Sequence, residues 1–251
     1  MKIRTVMPAL GGLTAVLLLA GCSSDGGTKA APPSPSASTK APRYGCLDQA
    51  RADKGSFSLA SGVDRNAYFQ DSDAGKAKVA VVFSHENGGS LCDWVPFVPD
   101  FTKAGYATLA YTSSGDLLED IEAAEKYLKG KGVEKVVLVG ASKGGTGSLV
   151  AATATGGSLP VTAVATLSSP TGFGSWDAAK AVGTLRVPLF LAAQEGDQPF
   201  ADDAAKLQKA AVAAVKELKI YPGADHGARL LPAGTAKADL FAFLAANAPS
   251  S

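Results

Sequence analysis

The residues best suited to chemistry begin at Gly140-Ala141-Ser142-Lys143-Gly144-Gly145, a Gly-x-Ser-x-Gly sequence between an apolar β-branched run and an Ala-rich helical pattern. A strand-to-helix turn this tight has no room for side chains at its glycines, and it forces the serine outward in a strained backbone conformation. Ser142 also opens the helix, whose free N–H groups and dipole favour negative charge beside it. A phosphate-cradling loop is the alternative, but Lys143 is followed by Gly rather than Ser or Thr, and the full spacing is absent. Serine is a weak nucleophile unless a neighbouring base removes its proton. The chain has two histidines, and His226 lies late in it, in Pro222-Gly223-Ala224-Asp225-His226-Gly227, after Lys219-Ile220-Tyr221, which reads as a last strand, and ahead of the final helical pattern. The base needs an acid on its other ring nitrogen. Asp197, in Gln194-Glu195-Gly196-Asp197-Gln198-Pro199, follows one strand-like run and precedes a helix. Asp225 and Glu195 are the alternatives; Asp225 adjoins His226, so their side chains normally diverge, and both read as loop charges. The remaining requirement is a pair of backbone N–H groups aimed at the oxygen that becomes negative. Lys143 supplies one, and the loop His85-Glu86-Asn87-Gly88-Gly89-Ser90 is the source of the other, unless it is a plain Asn-Gly turn.

These residues need a scaffold that brings four distant segments to one place. Runs at 78–84, 135–140, 161–167 and 187–192 are nearly continuous in apolar and β-branched residues, the pattern of strands buried on both faces. Short alternating segments at 56–60 and 66–70 read as a leading hairpin about Gly62-Val63-Asp64-Arg65. Helical spacing appears at 94–104, 116–129, 145–154, 201–218 and 236–246. Strand and helix alternate throughout, which predicts an α/β fold with a mostly parallel sheet, helices on both faces and right-handed crossovers. In such sheets ligands bind past the carboxyl ends of the strands, where every residue singled out above lies.

Taken together, the strand followed by His85-x-x-Gly88-Gly89 and Trp94, then Gly140-Ala141-Ser142-Lys143-Gly144-Gly145, Gly196-Asp197 and Asp225-His226-Gly227, resemble the α/β-hydrolase superfamily over about 78–246. The resemblance implies a Ser142, Asp197, His226 triad, an oxyanion hole from the Lys143 N–H with that of Asn87 or Glu86, and a structural role for His85. It implies no cofactor. Two positions depart from the pattern: Glu86 stands where the superfamily usually has Gly after the loop histidine, and Lys143 places a cation at the elbow. The segment Ser169-Pro170-Thr171-Gly172-Phe173-Gly174-Ser175-Trp176 is short, so little or no lid is expected over the site.

The ends of the chain add compartment. Lys2 and Arg4 precede an apolar stretch from about 6 to 20, too short and Gly-broken for a spanning helix, which reads as a signal peptide. Leu19-Ala20-Gly21-Cys22 is similar to the lipobox of bacterial lipoproteins, which implies a 1–22 leader and lipidation at Cys22. Residues 23–43 hold no Leu, Ile, Val or aromatic and cannot offset their ordering entropy, so they are expected to be a disordered tether reaching about 25 Å. The domain is then 44–251, lipid-anchored outside the cytoplasm. There Cys46 and Cys92 are expected to form a disulfide. The two histidines and these cysteines lack metal-ligand spacing, so no metal is expected. With 24 basic and 23 acidic residues, two of the basic ones in the leader, there is no excess charge to attract nucleic acid. The expected partner is a small-molecule ester, thioester or amide. A peptidase of the same fold, with Glu86 holding a substrate amine, and a binding lipoprotein without turnover are the competing readings.

Overall fold

Buried β-branched runs with helical segments between them assemble into one eight-stranded sheet. The computed structural model describes residues 40–59, 65–113 and 115–251. The leader with Cys22, the tether up to residue 39 and positions 60–64 of the hairpin turn lie outside the described residues. In chain order the elements are α1 (Gln49–Gly55), β1 (Ser56–Ser58), β2 (Asn66–Gln70), β3 (Val79–Ser84), α2 (Val98–Lys103), β4 (Ala107–Tyr111), α3 (Leu117–Gly130), β5 (Lys135–Ala141) and α4 (Lys143–Ala151). They continue with β6 (Val161–Leu167), β7 (Gly172–Phe173), β8 (Trp176–Asp177), α5 (Ala178–Val182), β9 (Leu189–Gln194), α6 (Phe200–Ala210), β10 (Lys216–Tyr221) and α7 (Ala236–Asn247).

The sheet order is β1-β2-β4-β3-β5-β6-β9-β10. The leading hairpin β1/β2 and its junction to β4 are antiparallel, and every other pairing is parallel. Alternate residues of each central strand feed two apolar layers. Val81 and Phe83, Val137 and Val139, and Phe190 pack with Phe101 of α2 and Leu240, Phe243 and Leu244 of α7. Val82, Leu138, Val164 and Leu191 pack on the other face with Leu117 and Ile121 of α3, Leu149 of α4 and Leu207 of α6. Burial on both faces is why these strands lack a polar alternation.

Several elements differ from the sequence reading: α1, α5 and the short β7/β8 pair carry no periodic signal in it, and three further differences concern the sheet and its loops. β4 is fully buried, yet its Ala-Thr-Leu-Ala-Tyr run carries no β-branched aliphatic residue, so composition does not mark it as a strand. The helix expected over 201–218 ends at Ala210, and Lys216–Tyr221 is instead the whole of edge strand β10. Ala-rich residues after Ala210 continue a helical spacing, while the charges on β10 fit an edge that faces water on one side. The helix expected over 94–104 is a 3-10 turn at Leu91–Asp93 followed by α2, with Pro96 between them and Pro99 in the first turn of α2. Cys46 and Cys92 are disulfide-bonded, which ties the segment before α1 to that 3-10 turn. Residues 40–43, the end of the expected tether, lie along α1: the Ala41 amide donates to Asp53 Oδ1 at 3.2 Å, and Gln49 Nε2 donates to the Ala41 carbonyl at 3.1 Å.

Candidate active site

At the end of β5 the chain turns into α4 through Ser142, whose backbone sits at φ 49° and ψ −117°. This left-handed region disfavours a side chain and is tolerated only where the surroundings over-determine it. Here the turn itself does so. A Cβ on Gly144 would lie 2.7 Å from the His85 carbonyl oxygen and closer still to Ser84, and one on Gly140 would collide with the Gly144 backbone. The Ser142 N–H donates to the Leu167 carbonyl at 2.8 Å, locking the elbow to β6. The residue is 7% exposed, and its hydroxyl makes no hydrogen bond to any described residue. A catalytic hydrogen bond that tightens only with substrate bound is consistent with this state.

The loops after β9 and β10 are cross-tied. The Glu195 N–H donates to the Tyr221 carbonyl at 2.9 Å and the Gly196 N–H to that of Gly223 at 2.8 Å. The Asp225 N–H donates to Oε1 of the buried Gln194. These bonds hold Asp197 and His226 together: His226 Nδ1 stands 2.9 and 3.0 Å from the two Asp197 carboxylate oxygens. A carboxylate only accepts, so Nδ1 carries the proton, and it is the neutral ring that offers a lone pair at Nε2. The Phe200 ring packs on the imidazole with centroids 4.3 Å apart. Asp225 and Glu195 are exposed, and Asp197 is the carboxylate that touches the ring.

The loop after β3 is organised by His85, which is buried. Its Nε2 accepts from the Ser113 N–H at 2.9 Å, so Nδ1 carries the proton and donates to the Glu86 carbonyl at 2.6 Å. Burial holds this imidazole below its ordinary range; the bond to Glu86 opposes that shift, and the Lys143 charge adds to it. His85 is thus a loop-shaping residue. The Glu86 and Asn87 amides donate to no described residue. The Lys143 N–H, first in α4, has no intrahelical acceptor. The two departures from the expected pattern meet different surroundings. The Glu86 carboxylate pairs with Arg229 at 3.0 Å, and burial lowers the Lys143 ammonium from its usual range while Asp120 opposes the shift.

His226 reaches the elbow through the residue after it. The Gly227 N–H donates to Ser168 Oγ at 3.0 Å, and a Cβ on Gly227 would lie 3.2 Å from that of Ala141. Beside this junction lies a groove of about 400 Å³ lined by Phe97, Pro96 and Cys92 of the disulfide, by Ala228, Arg229 and Pro232, and by Glu86 and Asp93. The segment after β6 forms only the two-residue strands of a small hairpin, β7/β8, as its length predicts. Arg229, Ser168, Gln194 and Phe200 carry no motif. Their signal was only position, just past a strand or near the histidine, which many loop residues share.

No family model and no curated protein matches the sequence. Solved structures match across most of the described domain. A dienelactone hydrolase from Anabaena variabilis superposes with a TM-score of 0.60 at 20% identity, covering 74% of this chain and 92% of that one. The esterase domain of a Rhodothermus marinus protein gives 0.59 at 22%, covering 76% and 95%. An esterase from Pyrococcus furiosus gives 0.61 at 15%, covering 76% and 91%. The chain therefore has the α/β-hydrolase fold.

Proposed function

We propose that this protein is an extracytoplasmic serine hydrolase that cleaves small-molecule esters through an acyl-enzyme on Ser142, held at the membrane by lipid on Cys22. The observation that carries the reading is the pair of 2.9 and 3.0 Å contacts from His226 Nδ1 to Asp197, on loops that lead back to the strained Ser142 elbow. In the first step Ser142 Oγ attacks the ester carbonyl carbon while His226 Nε2 takes its proton. Asp197 balances the imidazolium, and the Lys143 N–H with that of Glu86 or Asn87 bonds the oxyanion. Collapse expels the alcohol, which leaves with the proton from His226. Water, activated by the same nitrogen, then releases the acid and restores Ser142. The solved structures with this fold named above are hydrolases, which supports bond hydrolysis as the chemistry. The peptidase reading asked Glu86 to hold a substrate amine, and its carboxylate already holds Arg229.

A fluorophosphonate probe tests the reading: wild-type protein is expected to be labelled and Ser142→Ala is not. Chromogenic esters should be turned over faster than aminoacyl amides. Unlabelled, folded wild-type protein would overturn the mechanism. Cys22→Ala is expected to move the protein from the membrane fraction to the medium, and unmodified wild-type protein found wholly in the medium would remove the anchor.

A further inference from the structure

Among the described residues three non-glycine residues have positive φ: Tyr44, Ser142 and Ser168. Tyr44 belongs to the turn before Cys46, and the elbow explains Ser142. Ser168, at φ 55° and wholly buried, sits at the bend just past β6, outside the elbow. Glycine would occupy that backbone more easily, so the serine's use must lie in its hydroxyl. That hydroxyl accepts the Gly227 N–H at 3.0 Å, one residue beyond His226.

The surrounding bonds give the contact its meaning. The carbonyl of Leu167 accepts the Ser142 N–H at 2.8 Å, and the Ser168 N–H donates to the Ala192 carbonyl on β9, also at 2.8 Å. Two successive residues thus touch the segments that carry Ser142, Asp197 and His226. The first two links are backbone bonds that any residue would make. Only the third, to the histidine loop, depends on a side chain. Beyond it the loop is gripped on its other side by Gln194, through the Asp225 N–H. Without the Ser168 hydroxyl, the side of the loop nearer the elbow loses its buried tether and leaves a buried N–H without an acceptor.

We infer that Ser168 is a positioning residue, whose strained backbone aims its hydroxyl at Gly227 N–H and so sets His226 against Ser142. The inference rests on the hydrolase reading for its effect on turnover, while the docking contact stands independently of it. A small displacement of a general base costs rate without costing substrate affinity.

The test compares Ser168→Gly with Ser168→Ala. Both remove the acceptor, but glycine relieves the backbone strain and alanine keeps it. Both variants are expected to lose about ten- to a hundredfold in kcat with KM nearly unchanged, although the glycine variant melts at the higher temperature. A purely structural role would make kcat follow the melting temperature. Amide exchange at Gly227 supplies a readout independent of turnover: the N–H should be protected in wild type and unprotected in both variants. Full kcat in both folded variants, kcat that follows stability, or an amide still protected in them would overturn the inference. Wild-type protein inert to esters and to the fluorophosphonate would instead overturn the hydrolase reading, and the exchange result would still decide the docking.

Discussion

The two ends of the central sheet are built in opposite ways. At the carboxyl end, β3, β5, β6 and β9 run into Ser84, Ser142, Ser168 and Gln194, all polar and all buried. Two of these residues hold backbones that disfavour side chains. At the amino end, β3 and β5 begin beside Lys78 and Glu134, whose ion pair at 2.7 Å leaves both side chains about 60% exposed. Burying polar atoms and straining backbone cost stability, and they recur only where geometry must be held. One sheet thus separates a strained end, where the proposed chemistry lies, from an end where β3 and β5 start beside an exposed ion pair.

The sharpest way to break this contrast is to remove the reacting groups. Ser142→Ala and His226→Ala are each expected to lower kcat by about 10³ to 10⁶, with the double variant little worse, because the two act as a unit. Initial rates on a chromogenic ester check this, and melting curves near wild type confirm that the fold survives. Next is the acid. Asp197→Asn should cost on the order of 10³ to 10⁴ in kcat, since an amide lets His226 take the wrong tautomer, while Asp225→Asn at its exposed position should cost under about threefold. The reverse ranking would reassign the acid.

A smaller effect should appear in the pH dependence of stability. Because burial holds His85 below its ordinary range, the unfolded chain binds a proton there before the folded one does. Between the two values the unfolded state carries more protons, so stability falls as pH is lowered below about 6.5, the ordinary imidazole value. Urea midpoints measured downward from about pH 7.5 should therefore drop less steeply for His85→Gln than for wild type. Equal slopes would mean that this imidazole is not kept neutral by the fold. At the amino end, Lys78→Ala should change neither activity nor the urea midpoint measurably, as expected of an exposed ion pair. A large loss there would collapse the distinction between the two ends.

Much of the carboxyl end was legible because its demands are local. A Gly-x-Ser-x-Gly turn must sit between strand and helix, and the steric conflicts at Gly140 and Gly144 are set within a few residues. Cys46 and Cys92 were paired by parity and compartment. β4 and the start of β10 were not legible, for opposite reasons. One is too rich in alanine to show a period, and the other carries the charges of a sheet edge after an Ala-rich stretch that keeps helical spacing.

By itself the sequence determined the alternation of strand and helix, the elbow serine, and the candidacy of His226 and of three carboxylates near it, since each follows from spacing within one segment. The tertiary structure alone decided that Asp197 meets the imidazole, that Glu86 meets Arg229 across 143 positions, and that Ser168 holds Gly227 across 59. Partner choice between loops depends on how neighbouring strands end side by side. Register in a parallel sheet is set by the packing of both faces at once, so no single segment contains it.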